Sequence, residues 1–331
     1  MQFINKHWKR MVIIILFVVL VLLSLEIGSM SDANLSTFLS GDETARLIFI
    51  HSRLPRTIAV VLSAASLSVA GMLMQAISQN KFMSPSTSGT TDAAAFGLLL
   101  SFIFLGHQSG LIQATFAFAF ALVSTLLFTL IINRLQIREV VYVPLLGMMY
   151  GGLISAISTT VAFQFEAQQT LTAFNVGSFA RMGNFSLVYI VIVPLIIAVL
   201  YATKFSIIGL GEDFSKNLGL NYHRIVVLGL IIVALITAST FVAVGPLPFI
   251  GLIIPNMATS FYGDNLKKSI FDLMMFGAVF VLLCDIASRL VIYPFEMNVS
   301  LTISVFGGII FMIYLLRGMY GGKSNRTKAQ A

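Results

Sequence analysis

Arg53 and Arg56 bracket a Leu-Pro step at the mouth of a stretch that carries no charge from Thr57 to Asn80. A guanidinium presents paired, planar donors that suit a carboxylate. Two of them beside an apolar run therefore point to recognition of acidic groups, with lipid phosphate as the rival anion. Asp285 and Arg289 are four apart, which places them on one helix face within pairing reach. Ionisable groups inside an apolar segment face a bundle interior or a cavity. Further along, Gly211-Glu212-Asp213 can open a short helix, since acids are favoured in a first turn. Gly219, within Leu218-Gly219-Leu220, is placed to stop it. Enzymatic motifs are missing: there is no GxxxxGK[ST] loop for ATP and no HExxH. His7, His51, His107 and His223 are scattered, so no metal site is expected, and Cys284 alone cannot build a disulfide framework.

The elements that must carry these residues are set by composition. Over 331 positions 58% are hydrophobic and 10% charged, with mean hydropathy +0.96. Soluble domains carry roughly 25% charged residues, so this chain cannot clothe a water-facing surface and is expected to be an all-α polytopic membrane protein. A helical span takes about 20 residues. Apolar runs give ten spans, near 11–28, 57–79, 89–106, 110–132, 140–163, 186–205, 223–243, 247–261, 269–291 and 298–316. The N-terminal run is too long for a signal-peptide core and no small-residue cleavage site follows it, so it reads as an uncleaved first span. The eighth run is short and bounded by prolines, which suggests a broken or tilted helix.

Ten spans put both termini on one side. With the N-terminus inside, the outer segments receive only Arg46, Arg53, Arg56, Arg181 and Arg289 of the 20 Lys and Arg residues. That is the positive-inside bias of an N-in, C-in topology, and it accounts for the net charge of +7 without a nucleic-acid partner. The whole of 1–331 reads as one transmembrane domain. Its longer connections are an external loop at 29–52, an external loop at 164–185 and a cytoplasmic segment at 206–222. The first could hold an amphipathic helix around Leu35, Phe38, Leu39 and Leu47.

Three ordered blocks carry a resemblance. The first is Arg-Leu-Pro-Arg from Arg53, followed by an exit reading QNKFMSPSTSG. The second is GPLPFIGLIIPN from Gly245, and the third runs from Asp285 and Arg289 to Gly307. Together they resemble the FecCD-type permeases, membrane subunits of ABC importers for iron–siderophores, haem and cobalamin. Asn256 stands where that family usually has histidine, and Asn298 and Ser300 replace its proline and glycine. Residues 80–97 look most like the catecholate and petrobactin siderophore branch.

The resemblance implies a FecCD-type fold in the bacterial cell membrane. It also implies a pore shared with a second copy or a paralogue, two separate ABC ATPases that carry the ATP, and an extracytoplasmic siderophore-binding protein that delivers a ferric siderophore. No cofactor is expected on this chain. The segment with Gly211, Glu212, Asp213, Leu218 and Gly219 corresponds to the family's ATPase-coupling segment, with Ser215 or Lys216 at its small position. Arg53, Arg56 and Arg289 become candidates to dock the binding protein or, alternatively, to anchor lipid phosphate. Ser66, Gln75, Gln79, Asn80, Thr90, Asp92 and Asn256 become candidates to line the pathway, or else to act as interhelical glue. Alternatives are a cobalamin or haem permease of the same family, and an ion-coupled secondary transporter, for which only Asp92 and Asp285 supply acids at depth.

Overall fold

The computed structural model describes residues 2–28, 43–106, 109–135, 141–180, 186–262 and 266–328, and among these residues there are helices and turns but no strand. In lipid every backbone polar group must be satisfied within the protein, which for an unclosed chain leaves the α-helix. The order is α1 (Gln2–Glu26), α2 (Glu43–Ile48), α3 (Leu54–Ser78), α4 (Thr90–Leu105), α5 (Gly110–Leu135) and α6 (Tyr142–Gln164). Then come α7 (Gln168–Phe174), α8 (Ser186–Tyr189), α9 (Ile192–Leu200), α10 (Ala202–Ile208) and α11 (Glu212–Asn217). The chain ends with α12 (Tyr222–Val244), α13 (Ile250–Tyr262), α14 (Leu266–Leu290) and α15 (Val299–Lys328).

The bundle is built round α3, which packs against α12, α13 and α14. Val60, Ala64, Val69 and Ala70 on α3 are wholly buried. Small side chains let the neighbouring backbones come close. At Gly71 a Cβ would lie 2.0 Å from the carbonyl oxygen of Gly251, so α3 and α13 touch backbone to backbone. A second layer, α4 with α5 and α6, packs through Ala94, Ala117 and Ala121. α1 lies along α14 and is tied at both ends. Arg10 gives Nε and Nη2 to Asp272 Oδ2 at 3.0 and 2.6 Å, and Arg289 Nη1 donates to the carbonyls of Ser24 and Ile27 at 2.9 and 2.7 Å.

Two segments leave the helical pattern inside the bundle. After α3, residues 79–89 fold back until Pro85 and Thr91 line a cavity with Leu67, near the middle of α3. After α12, residues 245–249 dip until Gly251 faces Leu67, Gly71 and Pro85. Pro246 and Pro248 supply no N–H to a helix, so α13 begins at Ile250 rather than at 247 as the apolar run suggests.

The sixth expected span is also corrected. Instead of one helix over 186–205, α8 and α9 are followed by α10 at a bend of 66°. The turn at Tyr201 buries Phe205 and Ile208 completely and keeps Lys204 outside, its ammonium over the Tyr201 ring at 4.4 Å. Close packing of these two side chains against α3, α12 and α14, rather than escape from water, favours the bend. In the loop at 29–52, Leu35, Phe38 and Leu39 lie outside the described residues, while Leu47 sits on α2.

Candidate functional site: the two ends of the central helix

At the N-terminal end of α3 the charges gather. A single π turn, Phe49–Arg53, joins α2 to α3 and Pro55 occupies the first turn, where a missing N–H costs nothing. The turn directs Arg53 inward while Leu54 stays exposed. Arg53 is 5% exposed and gives Nη1 to the carbonyls of Leu25 and Glu26 at 2.8 and 2.6 Å. Arg56 spans two carboxylates, Nη2 to Asp285 Oδ1 at 2.9 Å and Nη1 to Glu296 Oε2 at 2.7 Å. Arg289 pairs with Asp285 Oδ2 and also bonds to Ser24 Oγ. The cluster thus fastens α1, α3, α14 and the turn before α15.

Arg53, Arg56 and Arg289, the candidates for docking a binding protein or anchoring lipid phosphate, are all bonded within the chain. Arg53 and Arg289 are buried, and the bonded amino groups of all three point to partners in the same chain. A buried charge needs its counter-charge to offset lost hydration, so the interior claims them first. Glu296 is the most accessible member of the cluster, with 16% of its side chain exposed.

The C-terminal end of α3 is different. Gln79 closes the helix in the left-handed conformation, φ 50°. Beyond it α11 forms as its sequence suggests: Glu212 and Asp213 occupy the first turn, and Gly219, φ 77°, supplies the stop. Ser215 turns inward. It is wholly buried, its Oγ 2.7 Å from the Gly211 carbonyl and 3.1 Å from that of Ile207, which folds α11 onto α10. Glu212 pairs with Lys216 at 2.7 Å, and this bond and charge raise the Lys216 ammonium above its ordinary value. The outward side is apolar: Leu210, Phe214 and Leu218 are 62%, 51% and 55% exposed, at four-residue spacing. Leu210 and Phe214 were not singled out from the sequence. The signal was that spacing, hidden in a segment too short to show periodicity.

Behind α11 a cavity of about 560 Å³ opens between α3, α5, α6 and α12, lined by Gln79, Thr129, Asn133, Glu212 and Tyr222 with apolar neighbours such as Met74 and Phe128. Gln75, Gln79 and Asn80 also line a cavity of about 220 Å³ beside α10. The other pathway candidates are mostly internal. Ser66 is buried with Oγ on the Ser63 carbonyl, and Thr90 is buried and bonded to Ser88 and Thr125. Asn256 is buried with Nδ2 on the carbonyls of Lys81 and Leu252, both at 2.7 Å. Thr90 and Asn256 thus tie neighbouring segments together, while Ser66 bonds within α3 itself. Asp92 is the exception. It is half-buried against Gly151 of α6, and no ion pair reaches it among the described residues. Among the described residues no cluster of His, Cys, Asp and Glu could hold a metal.

The apolar helices are those of a multi-pass membrane protein. The fold matches an inward-facing metal-chelate type ABC transporter with a TM-score of 0.76 and 24% identity, over 92% of this chain and 97% of that one. The chain belongs to the FecCD transport family, whose model matches residues 13–317. It is similar to the petrobactin import system permease protein YclN of Bacillus subtilis, 42% identical over 93% of this chain and 98% of the relative. It also resembles the petrobactin import system permease protein FatD of Bacillus anthracis, 34% identical over 95% and 93% of the two chains. The ferric-anguibactin transport system permease protein FatD of Vibrio anguillarum is 36% identical over 84% of this chain and 89% of its own.

Proposed function

We propose that this chain is the membrane permease subunit of an ATP-driven importer of ferric siderophores in the bacterial cell membrane, and that it forms half of a translocation pore. The observation that carries the reading is its 42% identity, along nearly the whole of both chains, to a petrobactin import permease. Five helices are long and apolar enough to cross a membrane, or six with the bent pair as one span; we count the three shorter apolar helices and α1 as further spans, for ten in all. With the positive-inside bias they give an N-in, C-in arrangement.

In this arrangement α11 faces the cytoplasm, and each copy presents Leu210, Phe214 and Leu218 to a separate ABC ATPase. The arginine cluster faces outward, where a binding protein delivers its cargo. An acidic side chain of that protein exchanges with Glu296 on Arg56, which keeps Asp285 neutralised throughout. Asp92 supports the choice of pore side. A partly exposed carboxylate in the first turn of an apolar helix is poorly suited to lipid, so the α4–α6 face meets the pathway or the second copy, identical or paralogous.

The test is uptake of radiolabelled iron complexes by cells with and without the chain, across catecholate, hydroxamate and carboxylate siderophores, haem and cobalamin. Loss confined to one siderophore class, and to ATP-replete cells, is the expected result. Loss for haem or cobalamin alone would move the substrate within the family. Uptake driven by an ion gradient without ATP would replace the ABC reading with a secondary transporter.

A further inference from the structure

Where the two non-helical segments meet, a chamber of about 80 Å³ lies between the starts of α4 and α13, lined by Leu67, Pro85, Thr91, Thr237, Pro246 and Gly251 among others. Thr237 is 3% exposed, and its hydroxyl has no hydrogen-bond partner. Its neighbour Thr240 is no help as a donor, because its own hydroxyl serves the carbonyls of Ile236 and Thr237 at 2.7 and 3.1 Å. The segment above is short of donors. Pro246 and Pro248 have no N–H, and the Gly245 N–H is spent on the Phe241 carbonyl at 2.8 Å. The Pro248 carbonyl already accepts from the Ile250 N–H at 2.8 Å, and the carbonyls of Gly245, Pro246 and Leu247 remain, each oxygen with two lone pairs. No ionisable side chain lines the chamber.

An uncharged space that offers carbonyl acceptors and the unpartnered Thr237 hydroxyl, with Ser86 and Thr91 also on its wall, suits a ligand that is neutral and both donates and accepts. A single water takes up about 10–15 Å³ on this scale, so the chamber admits a small cluster and excludes a siderophore or a lipid tail. We infer that it binds ordered water, held by Thr237 Oγ1 and the carbonyls of the Gly245–Leu247 segment, at the junction of the two interrupted spans. Water there satisfies backbone that neither helix pairs, which is the condition for irregular backbone at membrane depth.

The inference is tested on the purified full-length protein in lipid nanodiscs by the sign of a thermal shift. In a dry chamber, Thr237→Val removes an unpaired hydroxyl and raises Tm. In a hydrated one it strips the cluster of its anchor and lowers Tm by about 2–4 °C, while Thr237→Ser restores it. A second measurement does not depend on stability. With the single native cysteine removed as Cys284→Ala, Thr237→Cys should react with silver ion far faster than Ile236→Cys, a wholly buried position one residue away. A rise in Tm for Thr237→Val, or equal inertness of the two cysteines, would overturn the inference. Protection of Thr237→Cys by sodium or potassium but not by choline would overturn it too, in favour of a bound cation.

Discussion

One helix, α3, ends in two contrasting ways. Its N-terminal end is locked: two arginines and two carboxylates join α1, α3, α14 and the turn before α15 in one bonded cluster. Its C-terminal end is open, with an exposed Gln79, a cavity of about 560 Å³ and a surface of uncovered apolar side chains on α11. Charges removed from water hold only if every partner stays in place, so the locked end resists change. An open end with few tight contacts can yield to a partner at small cost. The lesson is that the chain keeps its rigidity where it gathers charge and its responsiveness where it leaves apolar surface uncovered.

Breaking the locked end gives the largest expected effect. Asp285→Ala leaves buried Arg289 without a carboxylate and Arg56 with Glu296 alone, and should cost about 3–5 kcal/mol, read as loss of the monodisperse protein and a collapsed Tm. Next is the backbone contact in the middle of α3. Gly71→Val places a side chain where the Gly251 carbonyl stands and should cost about 3 kcal/mol or more, measured by thermal unfolding. If Gly71→Val unfolds near the native Tm, α3 and α13 are not held backbone to backbone.

The open end should behave in the opposite way. Phe214→Asp with Leu218→Asp should leave Tm unchanged while abolishing ATPase co-purification and iron uptake. A large fall in Tm would show that these side chains are buried within the chain rather than offered to a partner. Arg10→Ala, which leaves buried Asp272 without its bonded guanidinium, should cost about 1–2 kcal/mol, less than a fully buried pair because Arg10 is partly solvated. Lys216→Ala, at a pair open to solvent, should leave both stability and uptake unchanged, and a measurable loss of uptake would assign Lys216 to the ATPase contact.

Much of this was legible in the sequence. Apolar run length marks α5, α6, α12 and α14 closely, and Gly211, Glu212 and Gly219 mark both ends of α11 because capping chemistry is local. The four-residue spacing of Asp285 and Arg289 correctly implies a pair. What could not be read is long-range: Arg56 meets Glu296 across 240 residues, and Arg10 meets Asp272 across 262. The same limit explains the docking expectation for Arg53 and Arg289. The residue type announces an appetite for carboxylates and carbonyls, but not whether the acceptors belong to another protein or to α1 and α14. The bend at Tyr201 was hidden because an apolar run reads the same whether straight or folded. Ser66, Thr90 and Asn256 were hidden because a polar side chain looks alike whether it faces a pore or a neighbouring carbonyl.

The ties between α1 and α14 also impose a timetable. α1 is made well before α14, and the carboxylate that receives Arg10 is synthesised 262 residues later and the guanidinium that holds Ser24 265 residues later. At about 5–20 residues per second, α1 waits in the bilayer for about 13–50 s before α14 emerges. During that interval α3 holds it only near its C-terminal end, through Arg53 on the Leu25 and Glu26 carbonyls and the Ser24–Thr57 hydroxyl pair. A chain truncated before α14 leaves α1 tied at one end alone, so quality control has a simple signal of an unfinished permease: a helix that is only half claimed.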